Sequence, residues 1–172
     1  MNTFPASGKI QTPVESATLP IVVNDIEIRP AHEADFESMW SIFSAHIAAG
    51  ETYTFSSATT REAAHQYWLG AGVHAFVATS SGGRVLGMYR LVPNQPGRGH
   101  HVANASFMVN PAAQGAGIGY RLGEHCLDQA RRNGFLAMQF NYVVSTNTAA
   151  IRLWKKLGFA ITGTLPKAFR HK

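Results

Sequence analysis

Phe107-Met108-Val109-Asn110-Pro111-Ala112-Ala113-Gln114-Gly115-Ala116-Gly117-Ile118-Gly119 is the stretch whose reading decides the fold. Its opening residues close an apolar strand that begins at His101. Ile118, Leu122, Cys126 and Ala130 then recur at helical spacing until Asn133-Gly134, a pair that stops helices. A second apolar run, Leu136–Val144, follows. A strand, a helix and a strand in this order form a crossover unit, so His101–Val109 and Leu136–Val144 are expected as parallel neighbours.

Upstream, Ile26–Arg29 reads as a strand. Phe36, Met39, Trp40, Phe43 and Ile47 give an amphipathic helix over Glu33–Ala48. Glu51–Ser57 is a loop, and Thr59 with Glu62 makes a capping-box pattern for a second helix carrying Ala64, Tyr67 and Trp68. His74–Thr79 and Val85–Val92 read as a hairpin turning at Ser81-Gly82-Gly83. Downstream, Asn147 caps a fourth helix with Ala150, Leu153, Trp154 and Leu157 inward, and Phe159–Leu165 reads as a final strand. The fold class expected is mixed α/β, a central mixed sheet flanked by about four helices.

The length, 172 residues, suits one domain over residues 25–172. Residues 1–24, with Pro5, Gly8, Pro13 and Pro20 and no periodicity, read as a flexible arm. No apolar run is long enough to span a membrane, and the first ten residues lack a charged start followed by an apolar run. A single cysteine, Cys126, forbids an internal disulfide and fits a reducing, cytoplasmic setting. It reads as a buried structural thiol or, as the alternative, a reactive one. The net charge of +5 suits an anionic ligand or nucleic acid. No basic run interleaves with aromatics, which favours a small polyanion and argues against nucleic acid. Eight histidines without metal spacing and one thiol point to no metal.

Gln114, Gly115, Ala116, Gly117, Ile118 and Gly119 follow a strand and open a helix. Helix starts leave backbone N–H groups without partners at the positive end of the dipole, and glycine lets a phosphate approach them. A nucleotide P-loop needs Lys-Ser/Thr after its glycine, but Tyr120-Arg121 stands there. The dinucleotide fingerprint needs Gly or Ala where Leu122 stands. A tight turn with close helix packing is the other reading of the glycines.

Two motifs in order, Phe107–Pro111 with Gln114–Gly119 and then Asn147–Phe159, resemble the GNAT superfamily of N-acetyltransferases over about Ile26 to Leu165. The resemblance implies an enzyme, an acyltransferase, with acetyl-CoA as cosubstrate entering between two splayed parallel strands. It places the backbone of Phe107, Met108 and Val109 along the acetyl-pantetheine arm. It gives Gln114–Gly119 to the diphosphate and Asn147 to the far side of the arm. The Val109 amide becomes the candidate for holding the developing oxyanion. Tyr53 and Phe55 fall where the family builds a substrate wall; pocket lining and satellite core are both open for them.

The family often places a carboxylate on a central strand, and neither His101–Val109 nor Val85–Val92 carries one. Asn104 and Ser106 share one face by the period of two, as do Gln139, Asn141 and Ser145. Polar residues in apolar strands need a reason. Asn104 is expected to orient the amine or a water, and Asn141 to bind a substrate carboxylate. A structural hydrogen-bond network is the alternative for both. His100 and His101 are the nearest titratable groups and read as loop-end structural residues, with the general base as the alternative. The family often has tyrosine where Trp154 stands; indole cannot protonate a leaving thiolate, which leaves water, Tyr142 or the intermediate itself as the proton source.

Gln139–Asn147 with Gly163–Arg170 is similar to the branch containing N-acetyltransferases of proline analogues such as azetidine-2-carboxylate, which implies a free amino or imino acid as the small-molecule acceptor. Direct attack of the amine on the thioester is the expected route. A domain that senses acetyl-CoA without turnover and an enzyme acting on protein amines are the alternatives. The family usually continues with one more strand, so an unpaired edge and a homodimer are expected.

Overall fold

The computed structural model describes residues 26–170. The arm expected over residues 1–24 and a domain start at Asp25 lie outside the described residues. Strand β1 (Glu27–Pro30) leads through a single turn to helix α1 (Phe36–Ala49). The Asp35 carboxylate fixes that entry, accepting from the His32 N–H at 2.8 Å and from both terminal nitrogens of Arg29 at 2.8 Å. Phe36, Met39, Phe43 and Ile47 are buried at helical spacing, and Gly50 ends α1 in a left-handed conformation. Helix α2 (Arg61–Leu69) starts one residue later than its sequence pattern suggests. Thr60, not Thr59, is the cap, accepting from the Ala63 N–H at 3.2 Å.

Strands β2 (His74–Thr79) and β3 (Val85–Pro93) form the expected hairpin, with a register shift at Ala78/Thr79. Strand β4 (Val102–Val109) pairs antiparallel with β3, bringing Arg90 opposite Ser106 and Val92 opposite Asn104. Helix α3 (Ile118–Arg132) crosses back to β5 (Ala137–Met138), which runs parallel to β4. Helix α4 (Thr148–Lys156) follows, capped by the Asn147 side chain accepting from the Ala150 N–H at 3.1 Å. The result is one five-stranded mixed sheet in the order β1-β2-β3-β4-β5 with helices on both faces.

Each face has its own core. Ile118, Leu122, Cys126 and Ala130 of α3 pack with Tyr89, Leu91, Ala103 and Ala105 on one side. Met39, Phe43 and Trp68 of α1 and α2 pack with Val77, Met88 and Met108 on the other. Each of the larger aliphatic side chains and Phe43 contributes about 1.5–3 kcal/mol by leaving water. On β4 the odd residues therefore face α3 and the even ones face α1 and α2. Helix α4 settles on α3 where Gly123 leaves room; a side chain there would collide with Leu157.

Two strand expectations need correction. Leu136–Val144 pairs only at Ala137 and Met138, and Phe159–Leu165 forms no strand. β propensity becomes a strand only where a ladder partner exists. Here Phe140 and Phe159 turn into an aromatic cluster with Trp154, and Ile161 and Leu165 stay exposed at 62% and 69%.

Candidate active site

Below Ala103, β4 loses its parallel neighbour. The last contact is the Gln139 N–H donating to the Ala103 carbonyl at 2.9 Å. From there β4 and the chain over residues 140–147 diverge, and a gap opens along β4. Ladder alternation turns the polar backbone groups of Ala105, Phe107 and Val109 into this gap, while those of Asn104, Ser106 and Met108 go to β3. Met108, expected beside the cosubstrate arm through its backbone, is thus committed to Met88 and buries its side chain.

Side chains from α1 and the following loop take the place of the missing strand. The Tyr53 hydroxyl donates to the Phe107 carbonyl and accepts from the Phe107 N–H at 3.0 Å. His46 Nε2 donates to the Val109 carbonyl at 2.8 Å. The Val109 N–H points the same way as that carbonyl. Burial, with the neighbouring Tyr67, pushes the Tyr53 hydroxyl well above its ordinary range, so it stays neutral. Phe55, the other expected wall residue, packs edge-on against Phe43 and Tyr67 and joins the core beneath α1 and α2. On the α4 side, Phe107, Phe140, Trp154 and Phe159 stack into an aromatic floor, with Phe107 and Trp154 ring centres 4.8 Å apart.

At the upstream end of the gap stands an amide node. Asn94 Oδ1 accepts from Asn104 Nδ2 at 3.1 Å and from Asn141 Nδ2 at 2.8 Å. Asn141 Oδ1 in turn accepts from Gln139 Nε2 at 3.2 Å. The two asparagines singled out in the sequence meet on a third, Asn94, in the Pro- and Gly-rich connection between β3 and β4. His46 also escaped notice; it lies three residues after Phe43, on the flank of the apolar stripe of α1.

At the downstream end lies the glycine loop. Gly115 and Gly117 have φ of 81° and 76°, and a Cβ on either would project into open space. No backbone carbonyl of the described residues accepts from the N–H groups of Gly115, Ala116, Gly117, Ile118 or Gly119. Gln114 is exposed beside them. Five free amides at the positive end of α3 fit a diphosphate. Asn147, expected on the far side of the arm, has its Oδ1 held by the α4 cap.

Cys126 is buried, and desolvation pushes its thiol far above the usual range, so it is no nucleophile. Among the described residues no three metal-binding side chains gather, and no helix is long and apolar enough to cross a membrane. Tyr142 is 59% exposed. A surface hollow of about 420 Å3 lined by Ile26, Glu27, Arg29 and Thr79 lies at the β1 edge, across the sheet from the gap.

Known proteins share this fold. The model of the acetyltransferase (GNAT) family matches residues 36–159. A GCN5-related N-acetyltransferase from Kribbella flavida superposes with a TM-score of 0.83 at 44% identity, covering 86% of this chain and 90% of that one. N-acetyltransferase aca1 of Schizosaccharomyces pombe is 41% identical over 88 residues, which is 51% of this chain and 42% of aca1. The chain thus spans less than half the length of that relative. The L-methionine sulfoximine/L-methionine sulfone acetyltransferase of Pseudomonas paraeruginosa is 30% identical over 146 residues, 81% of this chain and 83% of its own. Solved structures of the same fold hold acetyl-CoA.

Proposed function

The chain belongs to the acetyltransferase (GNAT) family, and from that premise we propose that it moves the acetyl group of acetyl-CoA onto the nitrogen of a small free amino or imino acid. The observation that carries this is the gap along β4, with a free-amide loop at one end and the Asn94–Asn104–Asn141 node at the other. A sulfoximine-amino-acid acetyltransferase among the relatives supports the acceptor class.

Acetyl-CoA supplies an activated acyl group as a thioester. The amides of Gly115–Gly119 hold its diphosphate, and Asn147, through the Nδ2 its cap leaves spare, meets the arm from the far side. The Val109 N–H donates to the thioester oxygen as negative charge develops there. The Asn94–Asn104–Asn141 node directs the acceptor nitrogen. An amide accepts no proton near neutral pH, so the ammonium proton leaves through water held at the node. Transfer is direct, since the only thiol is buried and protonated. The acceptor nitrogen forms the amide bond as the C–S bond breaks. The proton the attacking nitrogen then sheds returns, through water, to the departing CoA thiolate, which leaves as the thiol. The aromatic floor keeps bulk water from the thioester.

The test is thiol release over a panel of free amino acids, L-azetidine-2-carboxylate and L-methionine sulfone among them, with simple amines and a lysine peptide. Acetylated free amino acids are expected by mass spectrometry. Acetylation of the peptide alone, or tight acetyl-CoA binding with no release on any amine, contradicts the reading.

A further inference from the structure

Arg90 is a lone cation in an otherwise apolar strand. It sits on β3 directly opposite Ser106, on the sheet face covered by α1 and α2. Its guanidinium carbon lies 3.9 Å from the centre of the Tyr67 ring, and the Tyr67 hydroxyl is hydrogen-bonded to the Ser106 hydroxyl. Burial pulls its pKa down from the ordinary arginine value, yet a guanidinium stays charged in proteins. No carboxylate of the described residues pairs with it. A half-buried guanidinium with a ring beneath it and no acid beside it is costly unless it meets an anion in use.

Its position says which anion. Asn104 follows on the same face of β4, diagonal to Arg90, at roughly 7–8 Å between backbones, well within the reach of the long arginine side chain. Ser106 stands between them, next in sequence to Phe107, whose backbone opens into the gap. An α-amino acid with its nitrogen at the amide node and the gap carries its carboxylate a short distance away, toward Arg90. The planar fork of a guanidinium matches a carboxylate with two parallel bonds, which an asparagine cannot offer.

We propose that Arg90, seated on Tyr67, holds the carboxylate of the acceptor. The role first expected of Asn141 passes to Arg90, and Asn141 orients the acceptor through Asn94. The enzyme then selects amines bearing a free carboxylate close to the nitrogen and rejects their carboxamides, their esters and internal peptide lysines. The inference rests on the reading of the gap as an amino-acid N-acetyltransferase site.

The experiment compares a free amino acid that the enzyme acetylates with its own carboxamide, in the unaltered protein, Arg90→Gln and Arg90→Lys. The unaltered protein is expected to prefer the acid. In Arg90→Gln that preference shrinks about 10- to 100-fold, the worth of a charge-assisted pair, and the loss sits in the KM for the acid. Acetyl-CoA binding by calorimetry verifies that the variant is folded. Arg90→Lys keeps the charge without the fork and is expected to raise the same KM several-fold; it decides the matter where Arg90→Gln does not fold. An unchanged KM in Arg90→Lys, or equal losses on acid and carboxamide in Arg90→Gln, overturns the inference and leaves amino-acid acetylation standing. An unaltered protein that acetylates only amines without a carboxylate overturns both.

Discussion

The Tyr53 hydroxyl bonds both the N–H and the carbonyl of Phe107, filling the place on the β4 edge that a further strand would take. A cosubstrate arm laid along that edge competes with the hydroxyl for the same two groups. Tyr53→Phe removes the competitor. The variant is expected to lose about 1 kcal/mol of stability, one net hydrogen bond. It is expected to bind acetyl-CoA several-fold more tightly in calorimetric titration. Weaker binding would show that the hydroxyl helps hold the arm instead of guarding its place.

Gly117 and Gly134 separate backbone strain from function. Both have positive φ, 76° and 79°, and neither has an atom within 4 Å of a built Cβ. Alanine at either costs about 1–2 kcal/mol of backbone strain, a fall of a few degrees in melting temperature. Gly117→Ala puts its methyl where the diphosphate lies, so acetyl-CoA affinity should fall at least tenfold. Gly134→Ala, at the other end of α3, should bind acetyl-CoA as the unaltered protein does. Equal affinities in the two variants would contradict the assignment of the loop.

Asn94 acts through its neighbours. Asn94→Ala removes the oxygen that Asn104 and Asn141 share. The expected loss is about 10- to 100-fold in kcat/KM for the acceptor, the effect of a misoriented reactant, with acetyl-CoA affinity held within twofold. A loss confined to acetyl-CoA affinity would move the node to the other substrate.

Acid stability follows from Asp35. The two bonds from Arg29, joined by the His32 N–H, hold its carboxyl below the ordinary carboxylate range. A depressed folded pKa gives stability that is present above the unfolded value, about 3.9, and lost as pH falls through the folded one. Asp35→Asn should cost about 1–3 kcal/mol at pH 7, and the gap to the unaltered protein should narrow below about pH 4. Denaturant unfolding at the two pH values measures this.

Much of this architecture could be read before the structure. The stripe Ile118–Leu122–Cys126–Ala130 and the flanking apolar runs fixed a crossover and a parallel pair, because helix period and chirality leave one arrangement. Asn147 was legible as a cap because its side chain serves a local need. The short reach of β5 was not legible: Leu136–Val144 has the composition of a long strand, and only Phe140 turning toward Trp154 and Asn141 toward Asn94 takes it off the ladder. Asn94 and His46 acquire their roles through contacts 47 and 63 residues away in sequence, which no local pattern encodes. Arg90 did leave a signal, a single charge among apolar neighbours, that becomes meaningful only once the described residues show Tyr67 and no carboxylate beside it.

The central claim is that acetyl-CoA lies along the β4 edge with its diphosphate on the amides ahead of α3. Amide-resolved NMR during titration with acetyl-CoA addresses it directly. The largest shifts are expected at the N–H groups of Gly115–Gly119, Phe107 and Val109. Saturable binding that leaves those seven signals in place, or no binding at all, contradicts the account.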